Sequence, residues 1–147
     1  MTTGPRVTVV GSLNADLTML VPRLPEPGET VLSSGPSQLS FGGKGGNQAA
    51  AAAAFGGEVT MVGRVGADDI GDQILADLSG RRIDVTHVRR VSGIRTGSAM
   101  IAVDQRGENM IVIDPGANGE LRPADIDDGV LDGAASCSPS WRSRWTR

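Results

Sequence analysis

The sequence predicts an α/β fold built on a parallel sheet, and two stretches carry that expectation. RVTVV, Arg6 to Val10, is short, β-branched and closed at once by Gly11, the pattern of a buried strand ending at a turn. Further on, FGGKGGNQAAAAAAFGGEVTMVGRVG runs from a glycine loop into an alanine helix and then into a second β-branched strand. An alanine-rich helix is narrow enough to lie close on a sheet, so strand, glycine loop, helix and strand pack as one unit. The chain has 147 residues, about one domain, with 39% hydrophobic and 21% charged residues, a composition of folded globular proteins.

Composition also excludes whole classes of function. A net charge of -3 argues against wrapping nucleic acid, which needs clustered positive charge. The apolar runs fall short of the roughly 20 residues of a membrane helix, and the start of the chain has no charged-then-apolar signal, so a cytoplasmic protein without membrane contact is expected. Cys137 is the only cysteine and His87 the only histidine, which leaves no internal disulfide and no Cys/His cluster for a metal.

Taken in order, Arg6 to Val10 is the first strand. SLNADLTMLV follows, and its Asn14 and Asp16 stand just beyond the strand's carboxyl end, where open α/β sheets bind ligands; short polar residues there also shape turns, and both readings stand. Pro22, Pro25, Pro27 and Gly28 break regular structure, and ETVLSSGPSQLSF reads as two short extended pieces around Ser34, Gly35 and Pro36. The alanine helix is expected to begin near Asn47 and to stop at Phe55, Gly56 and Gly57. Val59 to Val62 is the second strand. Ile70, Ile74, Leu75 and Leu78 recur at helical spacing up to Gly80, an amphipathic helix. IDVTHVRRV reads as a strand, with His87 as a surface or turn residue. Met100 to Val103 and Met110 to Ile113 flank the polar turn DQRGEN as a hairpin. A glycine turn in PGANGELRPADIDDGVLDGA then leads to a short helix that Pro123 opens. Ser136 to Arg147, SCSPSWRSRWTR, has neither a helical nor a strand period.

The glycine loop is a candidate ligand site, since a helix start offers backbone N–H groups and a partial positive charge. It is not a P-loop, which needs Ser or Thr directly after the lysine, where this chain has Gly45. The dinucleotide fingerprint is also missing, since Gly11 is followed by Ser12 and Leu13 with no G-x-G-x-x-G. The loop does carry Lys44, the only lysine of the chain, and Asn47 at the helix start.

GSLNAD, the PGET turn from Pro27 to Thr30, FGGKGGNQAAAAA, VGRVGADDIGD and the hairpin ending in DPGAN stand in one order along the chain. Together they resemble the amino-terminal half of the ribokinase branch of the PfkB-type carbohydrate kinases, from about Arg6 to Ala135. The resemblance implies a doubly wound, three-layer sheet, here truncated, with a small β-sheet lid near residues 17–41 and 97–113 that also serves as a dimer interface. It implies that Asn14 and Asp16 bond sugar hydroxyls, that Gly42 and Gly43 let the backbone approach the sugar, and that Lys44 and Asn47 bond further hydroxyls. Ile101 would lie in the lid over the sugar. The activity implied is ATP-dependent phosphorylation of the 5-hydroxyl of D-ribose, with magnesium and a stimulating potassium ion. Fructokinase and adenosine kinase are the other branches to weigh, and a sugar-binding or dimerising remnant without catalysis is the other class.

The family's catalytic aspartate and most of its nucleotide site belong to the carboxyl-terminal half, so no catalytic residue is assigned to this chain. Written in GC-rich codons and read from the third base of codon 135, residues 135–146 become V-L-L-A-Q-L-E-V-P-L-D. That string resembles the family's next strand and its sugar-binding glutamate. A frame change after about Ala135 is therefore expected, with 136–147 a non-native or disordered tail.

Overall fold

The computed structural model describes residues 4–126, 128–132 and 136–139. Its strands and helices are β1 (Arg6–Val10), β2 (Asn14–Leu20), β3 (Gln38–Gly42), α1 (Lys44–Ala54), β4 (Glu58–Gly66), α2 (Asp69–Gly80), β5 (Asp84–Val91), β6 (Gly97–Val103), β7 (Asn109–Asp114), α3 (Asp128–Leu131) and β8 (Ser136–Pro139). They form two four-stranded sheets, ordered β5-β4-β1-β8 and β3-β2-β6-β7. Every pairing in the first sheet is parallel. The second is mixed, with β2 parallel to β6 and antiparallel to β3, and β6 antiparallel to β7. Among the described residues no helix is long and apolar enough to cross a membrane.

Alternation along β1 and β4 divides the core between the two faces of the first sheet. Val9, Val59, Met61 and Val65 pack with Leu13, Ala49, Ile74, Leu78, Ile83 and Val88 under α1 and α2. The opposite face carries the smaller cluster Val10, Val62 and Leu121, flanked by Ile126 and Val130. Cover on that side is thin, and a hollow of about 410 Å³ opens at the amino ends of the strands, lined by Arg6, Thr8, Thr60, Arg82 and Val130.

Three elements differ from expectation. Helix α1 starts at Lys44 rather than Asn47. The low helix propensity of Gly45 and Gly46 is outweighed by close packing, since a Cβ on Gly45 would lie 2.7 Å from Met61 Cε and 2.8 Å from the Gly11 carbonyl carbon. Pro123 opens a 3-10 turn, Pro123–Asp125, and α3 is a separate short helix beyond it. Ser136–Pro139, read as tail, pairs in parallel with Val7–Val10 of β1. Backbone pairing needs an open edge rather than an apolar period, and α3 delivers the chain to the free side of β1. Pro139, which lacks an N–H, is tolerated because β8 is the edge strand. The rest of the expected tail, 140–147 with Trp141 and Trp145, lies outside the described residues.

Asp125 ties the thinly covered face to the sheet. It accepts two bonds from Arg64, at 2.9 and 2.7 Å, and one from the Arg122 N–H at 2.8 Å, with Arg89 at 3.3 Å. The Arg64 guanidinium holds the Asp125 carboxyl below the usual carboxylate range, against the upward push of burial. A carboxylate with a lowered folded pKa stabilises fully above its unfolded pKa, and that contribution is lost as pH falls through the folded value. Asp125→Asn is expected to cost about 3 kcal/mol at pH 7, because the largely buried Arg64 loses its counter-charge. Urea unfolding at pH 7 and pH 3 checks this: the gap between wild type and variant narrows at the lower pH.

Candidate sugar-binding site

The site grows out of the turn after β1. The Gly11 N–H donates to Val62 O at 3.0 Å, holding the turn on the parallel sheet. Ser12 then reaches the start of α1, where its Oγ accepts from the Lys44 N–H at 3.2 Å and its carbonyl from the Gly46 N–H at 3.2 Å. These are among the N–H groups that a helix start leaves without partners. Gly43 caps the helix at φ 81°, and a Cβ there would lie 2.6 Å from Ser12 O, so both conformation and space require glycine. Ser12 thus occupies part of the backbone donors of the helix start.

Asn14 and Asp16 sit in strand β2 rather than in a turn. Alternate residues of a strand share a face, so both project to the same side of the second sheet. Gly42, opposite Asn14 on β3, makes room for them: a Cβ on Gly42 would fall 2.5 Å from Asp16 Oδ2 and 3.4 Å from Asn47 Oδ1. Asp16 and Asn47 therefore converge over one bare glycine. Lys44 is exposed at the first position of α1. Ile101 pairs with Thr18 and with Ile111, which puts it on the face of Asn14 and Asp16, one row beyond Ala99.

Burial pushes the Asp16 carboxyl above the ordinary aspartate value, and the Gly43 N–H partly pulls it back. The group offers a strong acceptor at Asp16, amides at Asn14 and Asn47 and an ammonium at Lys44, a set suited to several neighbouring hydroxyls.

Sequence reasoning missed Asn118, read only as the end of a hairpin motif. Its Oδ1 accepts from the Leu13 N–H at 2.8 Å, while its Nδ2 donates to Leu13 O at 2.9 Å and to Asn14 Oδ1 at 2.8 Å. Asn118 and Asn14 are both buried. The one available signal was the asparagine itself, in a glycine turn where such residues ordinarily serve the turn.

This parallel sheet, with its glycine-capped helix and the polar face of a second sheet at its carboxyl edge, is the amino-terminal part of a ribokinase fold. Ribokinase of Giardia lamblia matches it with a TM-score of 0.82 and 38% identity, over 94% of this chain and 42% of that one. Arabidopsis thaliana ribokinase, solved in complex with ribose and ATP, matches with a TM-score of 0.77 and 35% identity, over 92% and 45%. The ribokinase of Haemophilus influenzae is 44% identical over 115 residues, 78% of this chain and 37% of the relative. The chain belongs to the pfkB family of carbohydrate kinases, whose family model matches residues 5–135. It spans less than half the length of these relatives.

Proposed function

We propose that this chain is the sugar-binding half of an ATP-dependent ribokinase, acting on the 5-hydroxyl of D-ribose. The observation that carries the reading is the convergence of Asp16 and Asn47 over Gly42, with Asn14 on the same face. Asp16 accepts from sugar hydroxyls, Asn14, Asn47 and Lys44 supply donors, and Gly42 and Gly43 admit the ring close to the backbone. The second sheet is the lid: Ala99 and Ile101 cover the apolar face of the sugar and keep water from the transferred phosphoryl group. Its other side carries the row Leu39, Leu17, Met100 and Val112 across four strands, an apolar face that supports pairing of two lids in a homodimer.

ATP is the co-substrate in this reading, and the base and most nucleotide contacts belong to the part of the relatives that the chain does not span. Phosphoryl transfer depends on positioning and charge stabilisation around both substrates. No residue of this chain is assigned to magnesium or potassium; among the described residues there is no group of three or more His, Cys, Asp or Glu that could hold a metal ion. A frame change after Ala135 fits the same picture. The parallel strand β8 begins at Ser136, where the shifted frame reads the apolar run V-L-L-A, the composition a strand buried in a parallel sheet requires.

Titration calorimetry with ribose tests the site. Weak binding by the chain that disappears in Asp16→Ala is expected; equal heats from both proteins would overturn the assignment. The pH dependence has a definite sign. Only the carboxylate accepts two hydroxyls, so affinity falls on acidification, beginning above the pH at which an ordinary aspartate protonates and approaching tenfold per pH unit. Stability without sugar moves the opposite way: a raised folded pKa makes the ionised form costly, and the free chain gains stability from Asp16 as pH falls through that value.

A further inference from the structure

We propose that Asn118 is a positioning residue that turns the NH2 group of Asn14 toward the ligand, so that the site reads one sugar hydroxyl as an acceptor and another, at Asp16, as a donor. The inference deepens the sugar-site reading and rests on it for the identity of the ligand. The polarity of the pair rests on the chain alone.

A backbone N–H can only donate and a backbone carbonyl can only accept. Leu13 presents both to the same carboxamide, its N–H 2.8 Å from Asn118 Oδ1 and its carbonyl 2.9 Å from Asn118 Nδ2. Rotating that carboxamide by half a turn would set N–H against N–H and oxygen against oxygen, so its orientation admits no alternative. The second proton of Asn118 Nδ2 then points at Asn14, 2.8 Å away, and Asn14 must answer with its oxygen. Asn14 Oδ1 is thereby held against Asn118 with one of its two lone pairs used, and its NH2 group faces away from Asn118. Asp16, ionised, is acceptor-only. The two residues stand roughly 7 Å apart along one strand face, about the span of neighbouring substituents on a sugar ring and their hydrogen bonds.

Gly97 belongs to the same device. A Cβ on it would lie 2.1 Å from Asn118 Nδ2 and 2.7 Å from Asn14 Oδ1, so the bare first residue of β6 is what allows the two carboxamides to meet. A ligand oxygen that only accepts is consequently tolerated at Asn14 and rejected at Asp16.

The test has one part without ligand and one with it. In the 15N-labelled chain, the side-chain amide protons of Asn118 should exchange slowly and those of Asn14 rapidly; the reverse order overturns the proposal whether or not sugar binds. Asn14→Asp keeps an acceptor for Asn118, so slow exchange at Asn118 should persist in that variant, and its loss in a folded variant counts against the proposal. With sugar, the probes are ribose, its 2-, 3- and 5-deoxy analogues and the matching deoxyfluoro sugars, since fluorine accepts weakly and cannot donate. At the carbon where Asn14→Ala removes the penalty of the deoxy sugar, the deoxy analogue should bind about tenfold more weakly than ribose. There the fluoro analogue should stay within about threefold of ribose for wild type, and fall to the deoxy level in Asn14→Asp. A fluoro sugar as weak as the deoxy sugar in wild type at that carbon would overturn the donor assignment. Absence of ribose binding by wild type refutes the sugar reading instead and leaves the polarity to be judged by the exchange data.

Discussion

Gly97→Ala is expected to abolish ribose binding and to lower stability by about 3 kcal/mol. The new methyl carbon would lie 2.1 Å from Asn118 Nδ2, 2.7 Å from Asn14 Oδ1 and 2.9 Å from the Pro115 carbonyl oxygen, and both asparagines are buried. Crowding of this kind costs roughly 1–3 kcal/mol on its own. Displacing Asn118 also leaves the Leu13 peptide without its bonds in a buried place, for a further 1–3 kcal/mol or so. Gly80→Ala is the control, since nothing lies within 4 Å of a Cβ at that helix end, and it should be neutral or slightly stabilising. Urea unfolding and calorimetry of both variants decide the matter. A Gly97→Ala protein that unfolds and binds like wild type would show that the two asparagines are not coupled through this glycine.

On the proposed change of frame after Ala135, a chain continued in the shifted frame is expected to show the largest effect on activity. The chain of 147 residues is expected to show no ribose-dependent ATP turnover and to elute as oligomers or aggregates. Its thinly covered sheet face and the exposed Met110, Ile111, Val112 and Ile113 of the edge strand β7 present apolar surface to other chains. A chain that continues from Ala135 through V-L-L-A-Q-L-E-V-P-L-D into the shifted frame is expected to be monodisperse and to turn over ribose at about 1–100 per second, the ordinary range for kinases. The nucleotide sequence across codons 130–150 comes first. A gene with no open frame beyond the shift would sink this expectation, as would ribose-dependent ATP turnover by the chain as it stands.

Much of the fold was legible because its signals are local. Gly11 after a β-branched run, Gly56 and Gly57 after the alanines, and the polar turn between Met100 and Met110 each act on their own neighbours, and the observed elements follow them. The misplaced start of α1 has a distant cause: Gly45 lies in the helix because Gly11 and Met61 demand a bare residue there, and no helix propensity encodes that. Asn14 and Asp16 read as ligand contacts or as turn residues, and distant partners make a strand of them: Asn14 pairs with Gly42 and Gly97, Asp16 with Ser40 and Ala99. Asp16 was marked by its place beyond β1 and Lys44 and Asn47 by the glycine loop, whereas the role of each toward a sugar, and that of Gly42, entered through motif resemblance. Asn118 was overlooked because its whole contribution is tertiary, made to residues 13 and 14 from far along the chain.

That separation also sets an order of events during synthesis. Asn118 meets Leu13 across 105 residues. At about 5–20 residues per second, roughly 5–20 s pass between translation of one partner and of the other. Through that interval the strand bearing Asn14 and Asp16 lacks β6, β7 and the carboxamide that orients it. Helix α1 can already settle on β1 and β4, so the nascent chain carries a folded helical face beside a strand rich in Leu and Met whose one available partner is β3. The face that bears Asn14 and Asp16 is thus among the last parts of this half to mature, and any pause in translation before codon 118 lengthens the time in which the β6 side of β2 is open to the wrong partner.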